Sequence, residues 1–126
     1  MAYKNILLVD DDDDDQEIFL AALGEIDKSI KCTIAGNGRE ALEMLNNGLV
    51  NPDIILLDLN MPVMNGQQFL LEINQDKKHK GIPVIILSTT SHNATIELVM
   101  DMGAQQFFSK PDSFEGLISI LKSILI

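Results

Sequence analysis

The stretch Asp53-Ile54-Ile55-Leu56-Leu57-Asp58 sets four consecutive apolar residues between two aspartates. A strand with one wet face alternates apolar and polar residues, whereas an unbroken apolar run of this length suits a strand covered on both faces. Val84-Ile85-Ile86-Leu87-Ser88 repeats the pattern. With the β-rich runs 4–9, 31–35 and 106–109, these make five predicted strands, at 4–9, 31–35, 53–57, 84–88 and 106–109. Between and after them, apolar residues recur at spacings of three and four, the mark of a helix with one buried face. The predicted faces are Ile18, Phe19, Ala22, Leu23 and Ile26; Ala41, Leu42 and Leu45; Phe69, Leu70 and Ile73; Ile96, Val99 and Met100; and Phe114, Leu117, Ile118, Leu121 and Leu125. Asn51-Pro52 and Gly81-Ile82-Pro83 punctuate the chain before two strands, and Gly103 closes the fourth helix. Strict alternation of strand and helix predicts an α/β domain over residues 1–126: a doubly wound parallel sheet with helices on both faces.

Composition narrows the function. The 126 residues carry a formal net charge of −10, which sets the chain against nucleic acid backbones and anionic membrane surfaces. No apolar run approaches the ~18 residues of a membrane span. The start, Met1-Ala2-Tyr3-Lys4-Asn5, leads into an apolar run too short for a signal-peptide core. A single cysteine, Cys32, permits no internal disulfide, and a reducing cytoplasm is expected. Cys32 itself is read as a small core residue. Acid is concentrated in six consecutive aspartates, Asp10 to Asp15, and base in Lys77-Lys78-His79-Lys80, read as a solvated loop.

In open α/β sheets, function lies beyond the carboxyl ends of the strands. The first strand ends in Asp10-Asp11, the third in Asp58, the fourth in Ser88-Thr89 and the fifth in Lys110-Pro111. Clustered carboxylates repel one another unless a cation joins them, and hard oxygen ligands favour Mg²⁺. A carboxylate can also act as a nucleophile toward phosphorus, while a metal and a lysine neutralise the phosphoryl oxygens.

These residues resemble the receiver domains of two-component response regulators. The resemblance runs through Leu8-Val9-Asp10-Asp11, the stretch from Leu57-Asp58-Leu59-Asn60-Met61-Pro62 to Asn65-Gly66, Pro83-Val84-Ile85-Ile86-Leu87-Ser88, and Phe107-Phe108-Ser109-Lys110-Pro111. It implies a flavodoxin-like fold, with strand order 2-1-3-4-5 and five helices. It also implies Asp58 as phosphoacceptor, Asp11 as a direct Mg²⁺ ligand, Asp10 acting mainly through metal-bound water, and the Asn60 backbone carbonyl as a further ligand. Ser88 and Lys110 would contact the phosphoryl group, Phe107 would be a switch aromatic, and Lys110–Pro111 a cis bond. A histidine kinase or phosphotransfer protein would donate the phosphoryl group, and a downstream protein would read the face of helix 4, strand 5 and helix 5. That face could also form a homodimer. Such a chain is a switch that assists its own phosphorylation rather than an enzyme. The segment Ser88-Thr89-Thr90-Ser91 looks like small stand-alone regulators, some of which partner phytochrome-type kinases. In departures from the family pattern, Asn65 should still cap the third helix, and Phe107 lacks the hydroxyl of the commoner tyrosine.

Competing readings fare worse. Asp13 to Asp15 are read as a first helical turn favoured by the helix dipole. An EF-hand loop starting at Asp10 or Asp11 would put Ala21 or Ala22 where its closing glutamate belongs. Gly36-Asn37-Gly38-Arg39-Glu40-Ala41 fits a dinucleotide-binding turn, but leaves Asp10, Asp11, Ser88 and Lys110 without a role. An aspartyl phosphohydrolase would need an acid–base aspartate where Asn60 stands. His79 and His92 are read as solvent-facing, and Met61 and Met64 as packing residues.

Overall fold

The computed structural model describes residues 3–90 and 92–126. Met1, Ala2 and Ser91, on which parts of the N-terminal and hydroxyl-rich readings fall, lie outside the described residues. The elements run β1 (Asn5–Val9), α1 (Asp13–Ile26), β2 (Lys31–Ala35), α2 (Gly38–Asn46), β3 (Ile54–Leu57), α3 (Gly66–Gln75), β4 (Val84–Ser88), α4 (Asn93–Asp101), β5 (Gln106–Ser109) and α5 (Phe114–Leu125). The strands form one parallel sheet in the predicted order, β2-β1-β3-β4-β5. Two strands start one residue later than predicted. The reason is local: the Asp53 carboxylate, rather than a strand carbonyl, accepts the Lys4 and Asn5 amides, both at 2.9 Å.

Every residue of β3 and β4 is buried, as their continuous apolar sequences require. Successive side chains of each strand point to opposite faces, so the sheet divides the interior into two cores. Leu7, Val9, Ile55, Leu57 and Ile86 pack with α2, α3 and α4 on one side. Ile6, Leu8, Ile54, Leu56, Ile85 and Leu87 pack with α1 and α5 on the other. Three residues predicted on buried helix faces stand in solvent instead: Ile18, Met100 and Phe114. In α1 the packed stripe is Phe19, Ala22 and Leu23, and Ile18 is rotated about 100° from Phe19 around the helix.

Helix ends follow the sequence signals. Asp12 caps α1 by accepting the amides of Asp14 and Asp15. Asn65 and Gln68 form a reciprocal capping box at α3, as the Asn65 reading expects. Gly103 follows α4 with φ +109°, where a side chain would be strained. Cys32 is half-buried, and burial pushes its thiol up to about 12.

Gly66 opens α3 directly against the end of β3. A Cβ there would lie 2.5 Å from the Asp58 carbonyl oxygen and 2.8 Å from Leu59 Cα, both backbone atoms. Gly66→Ala should therefore cost about 2–4 kcal/mol in urea unfolding. Gly24, with nothing within 4 Å of its would-be Cβ, is the contrast. Gly24→Ala, inside α1, should gain about 0.5–1 kcal/mol.

At the opposite end of the sheet from the site, the hydroxyl and amide of Ser29, with Lys4 Nζ, hold the Asp27 carboxyl down at about 2, from an ordinary 3.8. Its stabilising contribution is therefore present above pH 3.8 and is lost as pH falls toward 2. Asp27→Asn should flatten the loss of stability across that window, measured by urea midpoints at each pH.

Candidate functional site

The sheet ladder extends one bond past several strand ends, and this fixes the functional side chains. Asp10 N–H donates to Ala35 O (3.0 Å), Asp58 N–H to Val9 O (3.0 Å) and Lys110 N–H to Ser88 O (2.9 Å). Asp10, Asp11 and Asp58 each present a carboxylate oxygen, and the three oxygens lie within 4.8 Å of one another. Asp10 and Asp58 are buried, and Asp11 is exposed. Burial raises the Asp10 pKa, and the charges of Asp58 and Asp15 add to this against the Asp12 amide and Lys110, which lower it.

Lys110 reaches back over this group. Its Nζ donates to Asp15 Oδ2 at 2.9 Å, Asp58 Oδ2 at 3.2 Å and Asp10 Oδ2 at 3.5 Å. Burial alone would lower the pKa of the ammonium, but the Asp15 hydrogen bond and the charges of Asp58, Asp10 and Asp15 hold it above its ordinary value. Lys110 is therefore a fixed cation.

The carboxylate oxygens are not equally occupied. Asp10 Oδ1 accepts the Asp12 amide at 2.9 Å, whereas Asp58 Oδ1 has only a long contact, 3.4 Å, from the Asn60 amide. Asp58 thus holds the freest lone pairs of the buried group. Hard oxygens from three carboxylates, with a single ammonium against them, suit a divalent ion such as Mg²⁺.

Ser88 ends β4 fully buried, its Oγ accepting the Thr90 amide at 3.2 Å. Asn60 is exposed in the β3–α3 loop. In that loop Val63 takes φ +65°, in a tight turn closed by Met64 N–H to Pro62 O. Phe107 lies apart from the carboxylates, half-buried against the core of α2, α3 and α4.

Three expectations need correction. Lys110–Pro111 is trans; among the described residues there is no cis peptide bond. Trans is the lower-energy form of an X–Pro amide, and Lys110 reaches all three carboxylates from it. His79 is buried, because the turn after α3 folds its ring inward to pair Nδ1 with Asp76 Oδ2 at 2.8 Å. It sits where the chain enters β4, at the end of the sheet away from the carboxylates. Asp15 is more than a dipole residue, since it makes the shortest contact to Lys110. His92 is exposed as expected. Gln16 was also missed: its Nε2 donates to Asp10 O at 2.7 Å. The surplus of aspartates beyond the two that end β1 was the sequence signal for Asp15, and Gln16 had none. The dinucleotide reading loses its anion donor, because Gly38 N–H is given to Met64 O at 3.1 Å.

Residues 6–122 match the family model of the response regulator receiver domain. The chain belongs to that family. This receiver domain superposes on the phosphorylated cyanobacterial phytochrome response regulator RcpA with a TM-score of 0.89, at 32% identity, covering 98% of this chain and 91% of that one. The Mn²⁺-bound form of response regulator Rcp1 gives a TM-score of 0.86 at 27% identity, covering 96% and 91%. The sensor histidine kinase CheAY of Helicobacter pylori is 36% identical over 88 residues, 70% of this chain. The receiver domain spans only 11% of that kinase's length. Receiver domains of two-component signalling bind Mg²⁺ through an acidic cluster, and Asp10, Asp11 and Asp58 form one here. No helix among the described residues is long and apolar enough to cross a membrane.

A buried carboxylate facing other carboxylates opposes folding when no divalent ion is bound. In EDTA at neutral pH, Asp10→Asn should raise the melting temperature by about 2–5 °C. With saturating Mg²⁺ that advantage should shrink or reverse.

Proposed function

We propose that the receiver domain is a phosphoryl-accepting switch, with Asp58 as the acceptor and a histidine kinase or phosphotransfer protein as donor. The observation that carries this is the state of Asp58: a buried carboxylate with one weakly engaged oxygen, beside Asp10 and Asp11 and 3.2 Å from a permanently charged lysine. Asp58 Oδ1 would attack the phosphorus of a phosphohistidine. The new O–P bond forms as the P–N bond breaks, and the leaving imidazole nitrogen keeps the electron pair and takes up a proton. Asp10, Asp11, Asp58 and the Asn60 backbone carbonyl would hold Mg²⁺. When bound, that ion supplies charge neutralisation for the phosphoryl oxygens. Lys110 offers its ammonium to an oxygen of the group, and Ser88 offers its hydroxyl.

The readout would follow from Ser88. Its main chain joins β4 to Lys110, and its register partner is Ser109, the neighbour of Lys110 in sequence. Movement of the Ser88 hydroxyl toward the phosphoryl group would loosen packing near Phe107 and bias the face of α4, β5 and α5 toward a partner protein or a second copy.

Acetyl phosphate with Mg²⁺ should add one hydroxylamine-labile phosphoryl group by mass spectrometry, and Asp58→Asn should abolish it. Mg²⁺ should raise the melting temperature, with Asp11→Ala removing most of the gain. A full adduct on Asp58→Asn would reject the assignment. With beryllofluoride, amide shifts should reach Phe107 and residues 92–102 and 105–120, and should weaken in Ser88→Ala.

A further inference from the structure

The ammonium of Lys110 has three N–H donors, and three carboxylates lie around it. Two of them, Asp10 and Asp58, belong to the acidic cluster. The third, Asp15, comes from the first turn of α1, is partly exposed, and makes the shortest contact of the three. The side chain of Asp15 does not serve the helix end, because Asp12 already caps the Asp14 and Asp15 amides. The other aspartates of that turn, Asp13 and Asp14, do not pair with Lys110. We infer that Asp15 is a positioning residue: it sets the resting place of the Lys110 ammonium and competes with an incoming phosphoryl group for it. This inference rests on the phosphoryl-accepting reading of Asp58.

The physical case is a competition for donors. A phosphoryl group on Asp58 brings about two negative charges and three acceptor oxygens. To serve them fully, the ammonium must shift from Asp15 toward β3. A carboxylate left in place both retains part of the cation and repels the new anion. Neutralising Asp15 should therefore favour the phosphorylated form, and it should do so through Lys110 rather than through the net charge of the acidic run.

The test compares Asp15→Asn with Asp14→Asn, which changes the charge equally on the same turn. Beryllofluoride with Mg²⁺ is titrated against each and followed by amide chemical shifts, while the Lys110 Cε resonance reports the lysine itself. Asp15→Asn should bind about two- to fivefold more tightly than the wild type, the scale of a partly exposed ion pair. It should also shift the Lys110 Cε signal before any ligand is added. Asp14→Asn should do neither, and Asp15→Glu should return both readouts toward the wild type. Equal affinities in Asp15→Asn and Asp14→Asn, or an unmoved Lys110 signal, would overturn the positioning role while a normal wild-type adduct leaves the phosphoacceptor reading standing. No adduct in the wild type would remove both.

Discussion

Asp10, Asp15 and Asp58 arrive from β1, α1 and β3, and all three converge on one ammonium, that of Lys110. Without that cation, the ends of neighbouring strands would face one another as like charges in a partly buried site. The parallel sheet makes the convergence unavoidable. It directs the carboxyl ends of the central strands to one rim, and the ladder bonds past those ends leave the side chains little freedom. Lys110 is itself fixed at both ends, through its amide on Ser88 and its Nζ on the carboxylates. Through that one side chain Asp58 is linked to the junction of β4 and β5.

Two cores on either side of one sheet give that junction its reach. Ile86 belongs to the core with α2, α3 and α4, and Leu87 to the core with α1 and α5, so adjacent residues of the strand that carries Ser88 face different layers. Phe107 and Phe108 divide in the same way across β5. A displacement at the end of β4 meets both layers, and close-packed layers respond by repacking rather than by gradual yielding.

Much of this was legible in the sequence because burial leaves a strong local trace. Ile54 to Leu57 and Val84 to Leu87 could only be covered on both faces, and that fixed a parallel sheet with helices on two sides. The site was legible for a related reason: in such a sheet, the residue after each strand is already placed. Legibility failed where the outcome depended on long-range geometry. Nothing near Asp15 in sequence announces a lysine 95 positions away. The basic neighbours of His79 suggest solvent, but the turn at Asp76 reverses the ring's direction. Ile18 has the right spacing for a core residue, yet the packed stripe of α1 is narrower than its apolar sequence. The Lys110–Pro111 bond was assigned by resemblance, and local energetics favour the other isomer.

The contacts between Lys110 and its aspartates span 100, 95 and 52 positions of the chain. No hairpin or single βαβ unit contains the pocket, and β1 lies inside the sheet between β2 and β3, with β5 at the far edge. A chain in which β5 is not docked therefore has the aspartates without their cation, and the constellation exists only in the complete sheet. For the proposed phosphoacceptor at Asp58, completion of the sheet would be the condition of competence, because the lysine that faces it arrives with β5.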